Sequence, residues 1–349
     1  MPIAIELHAS VAISRNQDDR RQVSTFHSTD LDRSVEIDLR DPVEARPASE
    51  PSSFINYISG PIEQLRTSGL EIPQMDLVIA SSIPMGGGLS SSAALEVGTI
   101  LAIRTLLGSP ATPLEIALEA QRAEHLQAGT PCGIMDMYVS AAAAAGSACL
   151  IDCATNQLRQ IPMPREEDAV VLITDTRTRH ALSDGAYASR RRDCEEAARL
   201  IGVGLLAEAS LDQLDDTPLP DVVASRARHV IEETARVRRF AAALEAQDLT
   251  AAGELMFESH RSLDTLFEVS CPELNLLVET ALELREHGLH GSRMTGGGFG
   301  GCTVSLCRPE ALDFVMKTLA SRFESTFGHA PVFHVSRAAQ GASVEPRRE

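Results

Sequence analysis

The sequence predicts a chain of mixed strands and helices, arranged either as two domains or as one large α/β unit. Three observations carry that expectation. A length of 349 residues exceeds one typical domain, and a hydrophobic content of 44% is ample for a core. Short apolar runs of strand length alternate with longer stretches of helical period. Around Pro162–Asp168 the chain turns charged and proline-bearing, which sets a candidate boundary between domains at 1–165 and 166–349.

The elements follow in order. Met1 to Ser14 alternates, with Ile3, Ile5, Leu7, Ala9, Val11 and Ile13 on one face, which predicts a half-buried strand beginning almost at the first residue. Termini usually carry a few loose residues, so a strand this early suggests that something ahead of it has been lost. A second strand fits Val35–Leu39, and 41–53, with three prolines, reads as a loop. Phe54–Leu65 is an amphipathic helix, Met75–Ala80 a strand, and Leu95–Leu107 a mostly buried helix. Pro113–Ala128 is a helix whose start is marked by Thr112 as cap and Glu115 as capping-box partner. Gly129–Gly133 breaks it, Ser140–Ala145 is alanine-rich, and Ala148–Cys153 and Val170–Thr174 are strands. Helical zones fall at 183–202 and 221–247 with a polar link at 212–220, then at Glu254–Ser262 and Pro272–His287. Strands Cys302–Cys307 and Val332–Ser336 close the series, and no repeat of solenoid period is present.

Composition excludes several functions. A formal net charge of −18 argues against nucleic acid and anionic membranes as partners, while a local glycine loop can still outweigh that distant field for ATP. No apolar run is long and clean enough to span a membrane, and the first residues lack the basic-then-apolar pattern expected of a signal peptide. Seven cysteines without Cys-x-x-Cys pairing read as buried thiols of a reducing cytoplasm. Lys317 is the single lysine among 31 basic residues, so a Walker A loop and a Schiff-base lysine drop out.

The chemistry is concentrated in Ser81–Ala94, which joins a strand to a buried helix. Gly86, Gly87 and Gly88 let the backbone turn sharply and bring its N–H groups to a ligand. Ser90, Ser91 and Ser92 place hydroxyls at the positive end of the helix dipole, next to Leu89. Such a turn binds anions, phosphate above all. Gly296, Gly298 and Gly301 satisfy Gly-x-Gly-x-x-Gly, but a dinucleotide fold needs a strand before and a helix after, and here a strand follows. Gly88-Leu-Ser90-Ser-Ser92 fails the serine-hydrolase elbow at its last position.

Glu124 sits near a helix end, and Asp136 follows a glycine-containing turn between apolar neighbours. A carboxylate beside Ile134 and Met135 is partly desolvated and can act as base toward a hydroxyl. A second carboxylate reaching the same place could hold Mg2+, a hard cation that takes oxygen ligands and phosphates.

These residues resemble the galactokinase branch of the GHMP small-molecule kinases. Pro84–Ala94 is similar to the second family motif, Cys132–Asp136 to that branch in particular, and Arg293–Val304 to its third motif. His180–Tyr187, Arg190–Cys194, Glu258–Leu263 and Glu268–Leu274 fall in the same order. The resemblance implies an α+β, two-domain GHMP kinase fold: a mixed-sheet N-terminal domain and a ferredoxin-like α/β C-terminal domain, with the active site between them. It implies that Gly86 to Ser92 wrap the ATP phosphates, that Ser92 and Glu124 hold Mg2+, and that Asp136 faces the C1 hydroxyl of galactose. Tyr187 would contact the sugar, Gly296, Gly297 and Gly298 would line the site, and Phe54 stands where the family carries a tryptophan near adenine. A cytoplasmic monomer is implied. The family's first motif, an arginine and a Glu-His-x-Asp run, has no counterpart in these residues, which leaves three explanations. The start codon lies too far downstream, the gene is truncated and its product inactive, or the chain is a nucleotide- or sugar-binding regulator. N-acetylgalactosamine and arabinose stand as alternative substrates.

Overall fold

The computed structural model describes residues 1–349 except 17–21, 48, 51, 85–87, 129–131, 180–182 and 346–349, with backbone alone for 127, 128, 179 and 183–187. Contacts divide the chain into two units. One holds Met1–Gly86, Ser90–Gln160 and the chain from Ala338 on; the other holds Gly87–Leu89 and Ile161–Arg337.

The first unit contains β1 (Ala9–Arg15), β2 (Ser24–Ser28), β3 (Arg33–Ile37), α1 (Asn56–Thr67), β4 (Met75–Ser81), α2 (Ser91–Leu107), α3 (Pro113–Ala123) and α4 (Met135–Ala142). A separate ribbon of β5 (Ser147–Asp152) and β6 (Gln157–Pro162) follows. The main sheet runs β1-β4-β2-β3, with β4 antiparallel to β1 and parallel to β2, so it is mixed as expected. Its core joins Phe26 and Leu77 of the sheet to Ile58 and Ile62 of α1 and Ile100 and Ile103 of α2. Gly108, at φ +64, ends α2 with its N–H on the Thr105 carbonyl.

The predicted first strand is shorter than expected. The ladder opens at Ala9 because its partner β4 stops at Ser81, where the glycine turn departs. His8 still bonds to Ser82, whose N donates to the His8 carbonyl at 2.9 Å, but further back the chain bonds elsewhere: the Pro2 carbonyl accepts from Cys149 N and the Ala4 carbonyl from Ala339 N. The alternation continues through 1–7 outside the β1–β4 ladder. β2 escapes the apolar count because its inward positions are Ser24, Phe26 and Ser28. The Ser24 hydroxyl donates to Gln74 Oε1 at 2.6 Å and accepts from Met75 N at 2.9 Å, so its burial is satisfied. The capping box at Thr112 and Glu115 is present as predicted. The helix beyond it stops at Ala123 and widens into a π-helical turn, Glu124–Ala128.

The second unit contains β7 (Val170–Arg179), α5 (Ser183–Ile201), α6 (Leu211–Asp216), α7 (Asp221–Glu245), α8 (Leu249–Thr265) and α9 (Pro272–Glu283). β8 (Leu289–Met294), β9 (Gly300–Cys307), α10 (Leu312–Phe327) and β10 (Val332–Ser336) complete it. Its sheet order is β10-β7-β9-β8 with antiparallel neighbours throughout, the first-to-fourth pattern 4-1-3-2 of a ferredoxin-like layer. α8 lies so close to β8 that a Cβ on Gly253 would come within 1.9 Å of the His290 carbonyl oxygen, and one on Gly291 within 2.4 Å of Gly253 Cα. Two glycines at one crossing let helix and strand backbones touch.

The glycine turn of 296–301 joins β8 to β9, so a strand both precedes and follows it. The preceding strand, Leu289-His-Gly-Ser-Arg-Met294, carries too few apolar residues to announce itself. The dinucleotide reading still fails, because no helix follows. The seven cysteines form no disulfide among the described residues; Cys149, Cys271, Cys302 and Cys307 are buried, whereas Cys153 is exposed. Among the described residues no helix is long and apolar enough to cross a membrane.

Candidate active site

The first unit assembles its polar site at the front of α2. Ser90 takes a left-handed backbone, φ +55, directly before that helix. A serine at this point is expected to cap the helix with its hydroxyl, and it does not. The Ser90 hydroxyl turns away and donates to Asp136 Oδ2 at 2.7 Å. Asp136 lies in the first turn of α4, where the exposed N–H groups favour a negative charge. The turn that should carry phosphate and the carboxylate that should face a hydroxyl are therefore in direct contact. Ser91 and Ser92 form the first residues of α2.

Glu124 occupies the junction of α3 with the π-helical turn and is 6% exposed. π-Turns inside helices recur at functional sites because one extra residue re-aims the side chains around it. The Cys132 thiol donates to Glu124 Oε2 at 3.1 Å. The Cys132 carbonyl accepts from Gln121 Nε2 at 3.2 Å and faces His125 Nε2 at 2.8 Å. Residues on either side of the break between α3 and α4 are thus tied together, and Asp136 follows four positions on. Burial, the bond to Glu124 and the charges of Glu124 and Glu96 push the Cys132 thiol far above its ordinary range.

Sequence reasoning missed Glu96. It sits inside α2 with no solvent exposure, and burial, reinforced by the charge of Glu124, raises its carboxyl to about 10. Burial and the charges of Glu124 and Glu96 also raise the Tyr57 phenol of α1. The available signal was a lone carboxylate inside the apolar run 95–107, one helical turn after Ser92.

In the second unit the 296–301 turn is shaped by left-handed glycines: Gly296 at φ +76 and Gly298 at +87. A Cβ on Gly298 would meet the Val269 carbonyl at 2.1 Å, and Phe299 N donates to that same oxygen at 2.7 Å. Within this unit a Cβ on Gly296 would come to 3.5 Å from the Gly88 carbonyl oxygen. Gly297 is exposed at the tip. The 266–268 stretch beneath is clamped by two arginines. Arg190 of α5 donates to the Phe267 and Glu268 carbonyls at 2.6 and 2.9 Å; buried Arg226 of α7 donates to the Leu266 carbonyl and the Glu268 carboxylate. The motif segments Arg190–Cys194 and Glu268–Leu274 include scaffolding for this turn.

Gly88, at φ +73, is exposed, with Leu89 beside it. Gly86, Gly87 and His180 lie outside the described residues, as does the Tyr187 side chain. Phe54 packs partly buried against the core of the first unit.

Comparison with known proteins identifies the lineage. Family models described as GHMP kinases N terminal domain and GHMP kinases C terminal match residues 56–146 and 240–325. The chain is 40% identical to a galactokinase of Homo sapiens over 350 residues, covering 99% of this chain and 86% of that protein. It is 39% identical to a galactokinase of Streptomyces coelicolor, covering 95% and 84%. This chain belongs to the galactokinase branch of the GHMP kinases. Its fold superposes on Lactococcus lactis galactokinase complexed with galactose with a TM-score of 0.89 at 29% identity, over 97% of this chain and 87% of that one. A mevalonate kinase, at TM-score 0.64 and 19% identity, shares the fold.

The oxygen chemistry at α2 suits the Mg2+ that such kinases use with ATP. Glu124 is a buried carboxylate at the end of α3, and Glu96 adds two carboxyl oxygens without partners among the described residues. Among the described residues no group of three or more His, Cys, Asp or Glu could hold a metal by itself.

Proposed function

We propose that this chain transfers the γ-phosphoryl group of ATP to the C1 hydroxyl of galactose, giving galactose 1-phosphate and ADP. The observation that carries the reading is the Ser90–Asp136 hydrogen bond, which sets a carboxylate against the end of the phosphate turn. In this reading Gly86 to Ser92 cradle the phosphates through backbone N–H groups and hydroxyls. Gly296, Gly297 and Gly298 line the site. Ser92 and Glu124 hold Mg2+, which when bound neutralises phosphate charge. Asp136, one oxygen occupied by Ser90, accepts the C1 hydroxyl proton with the other. The sugar oxygen then bonds to the γ-phosphorus as the bond to the β-γ bridging oxygen breaks. Tyr187 contacts the sugar, and the enzyme works as a cytoplasmic monomer. Phosphoryl transfer needs alignment and charge neutralisation more than covalent help, and this arrangement is built for both.

The test is galactose-dependent ADP formation by the purified chain, beside Asp136→Asn. Turnover that Asp136→Asn abolishes supports the reading. Turnover indifferent to that change removes Asp136 from the chemistry, and nucleotide binding without turnover would replace the kinase with a binding protein. N-acetylgalactosamine and arabinose assayed in parallel decide the sugar.

A further inference from the structure

Glu96 is the least explained polar group in the first unit. It has no solvent exposure, and neither carboxyl oxygen has a hydrogen-bond partner among the described residues. An unsatisfied buried carboxyl is costly, and such a group in a folded protein calls for a reason. Its position supplies one. Glu96 follows Ser92 by four residues on α2, so the two side chains share a helix face. Glu124 lies close enough for its charge to act on Glu96, and Tyr57 feels both. A divalent ion would favour the charged form of Glu96 and supply the partners that both of its buried oxygens lack.

We propose that Glu96 is a third protein residue of the cation site, sharing the divalent ion of the nucleotide with Ser92 and Glu124. The inference rests on the kinase reading above and extends its metal site. Mg2+ keeps several of its waters and is held by one or two carboxylates together with phosphate, so a second carboxylate fits its habits. Substitution of a supporting carboxylate at a metal site commonly lowers metal affinity 10–100-fold. The competing explanation is an ordinary core acid bridged by water to Thr99, whose hydroxyl, three residues further along α2, also lacks a partner.

The experiment measures binding rather than activity. Calorimetry with AMP-PNP, in Mg2+ and in EDTA, gives the gain in nucleotide affinity that the cation provides. For Glu96→Gln the affinity in EDTA should match the parent chain, while the Mg2+-dependent gain falls about tenfold. Glu96→Leu removes the buried acid, so it should melt no lower than the parent and lose the gain as well. A gain unchanged in either variant overturns the proposal and leaves Glu96 a core acid. Glu124→Gln separates the two levels of inference. Loss of the gain there with retention in Glu96→Gln sinks the part given to Glu96 alone. Retention in Glu124→Gln, or a parent chain that binds AMP-PNP equally in Mg2+ and EDTA, removes the cation site itself.

Discussion

The Ser90 hydroxyl donates to Asp136 Oδ2 at 2.7 Å across a sequence separation of 46 residues. One short bond connects the residue that closes the glycine turn to the carboxylate at the front of α4. Asp136→Asn keeps the shape and removes the base, so kcat should fall by roughly 10²–10⁴ with little change in nucleotide affinity. Ser90→Gly separates position from strain. Glycine accepts the left-handed backbone that disfavours other residues by roughly 1–2 kcal/mol, so the melting temperature should hold or rise. Loss of the hydroxyl should still lower kcat about tenfold, the effect of about 1.4 kcal/mol. Steady-state kinetics paired with thermal melts check both, and an unchanged kcat in Ser90→Gly would deny that the bond positions Asp136.

The crossing of α8 and β8 should tolerate no side chain. Gly253→Ala would put a methyl group 1.9 Å from the His290 carbonyl oxygen, which both backbones must move to avoid. A loss of about 3 kcal/mol or more in urea unfolding is expected. Gly88→Ala is the contrast. It meets nothing within 4 Å, so only its positive φ opposes the change, and stability should drop by about 1 kcal/mol.

Acid should destabilise the second unit. Burial holds His229 and His260 down to about 4. Met294 N donates to His260 Nδ1 at 3.2 Å, so Nδ1 must be an acceptor and Nε2 carries the hydrogen toward Asn275 Oδ1. A proton on Nδ1 would break that bond. In both histidines the folded value lies below the unfolded one near 6.5, so their stabilisation is present above pH 6.5 and is lost as pH falls toward 4. Together they contribute a slope of at most about 2.7 kcal/mol per pH unit. Unfolding free energies between pH 7.5 and 4.5 should decline less steeply in His260→Gln than in the parent chain.

Arg226→Met should weaken the second unit by about 1–3 kcal/mol, mainly because the Leu266 carbonyl loses its donor. The ion pair itself adds little, since Glu268 is 61% exposed and largely screened by solvent. Glu268→Gln should therefore be far milder than Arg226→Met in the same melts. Equal losses would reverse that ranking.

Much of this enzyme is legible in its amino-acid sequence, and what escapes does so for definite reasons. The glycine–serine turn, the capping box at Thr112 and the long helices announce themselves because each rests on local chemistry or on a sustained period. β2 and β8 do not, because their buried positions hold serine and glycine that are stabilised by neighbours far along the chain. The Ser90 hydroxyl is mistaken for a helix cap because its partner, Asp136, is remote in sequence. Glu96 is hidden for the opposite reason: a single carboxylate among apolar residues looks like a solvated interruption until its burial is known.

The return of the chain to the first unit carries a consequence for synthesis. Backbone bonds from Ala339 N to Ala4 O, from Gly146 N to Ala338 O and from Ala342 N to Ser140 O join late residues to early ones. On the ribosome the nascent first unit can collapse around α1 and α2, but it cannot acquire these bonds until residue 342 has emerged. Final closure of the earliest-made part must therefore wait for translation of nearly everything after it, and a premature stop within the last strand would leave that part unsealed.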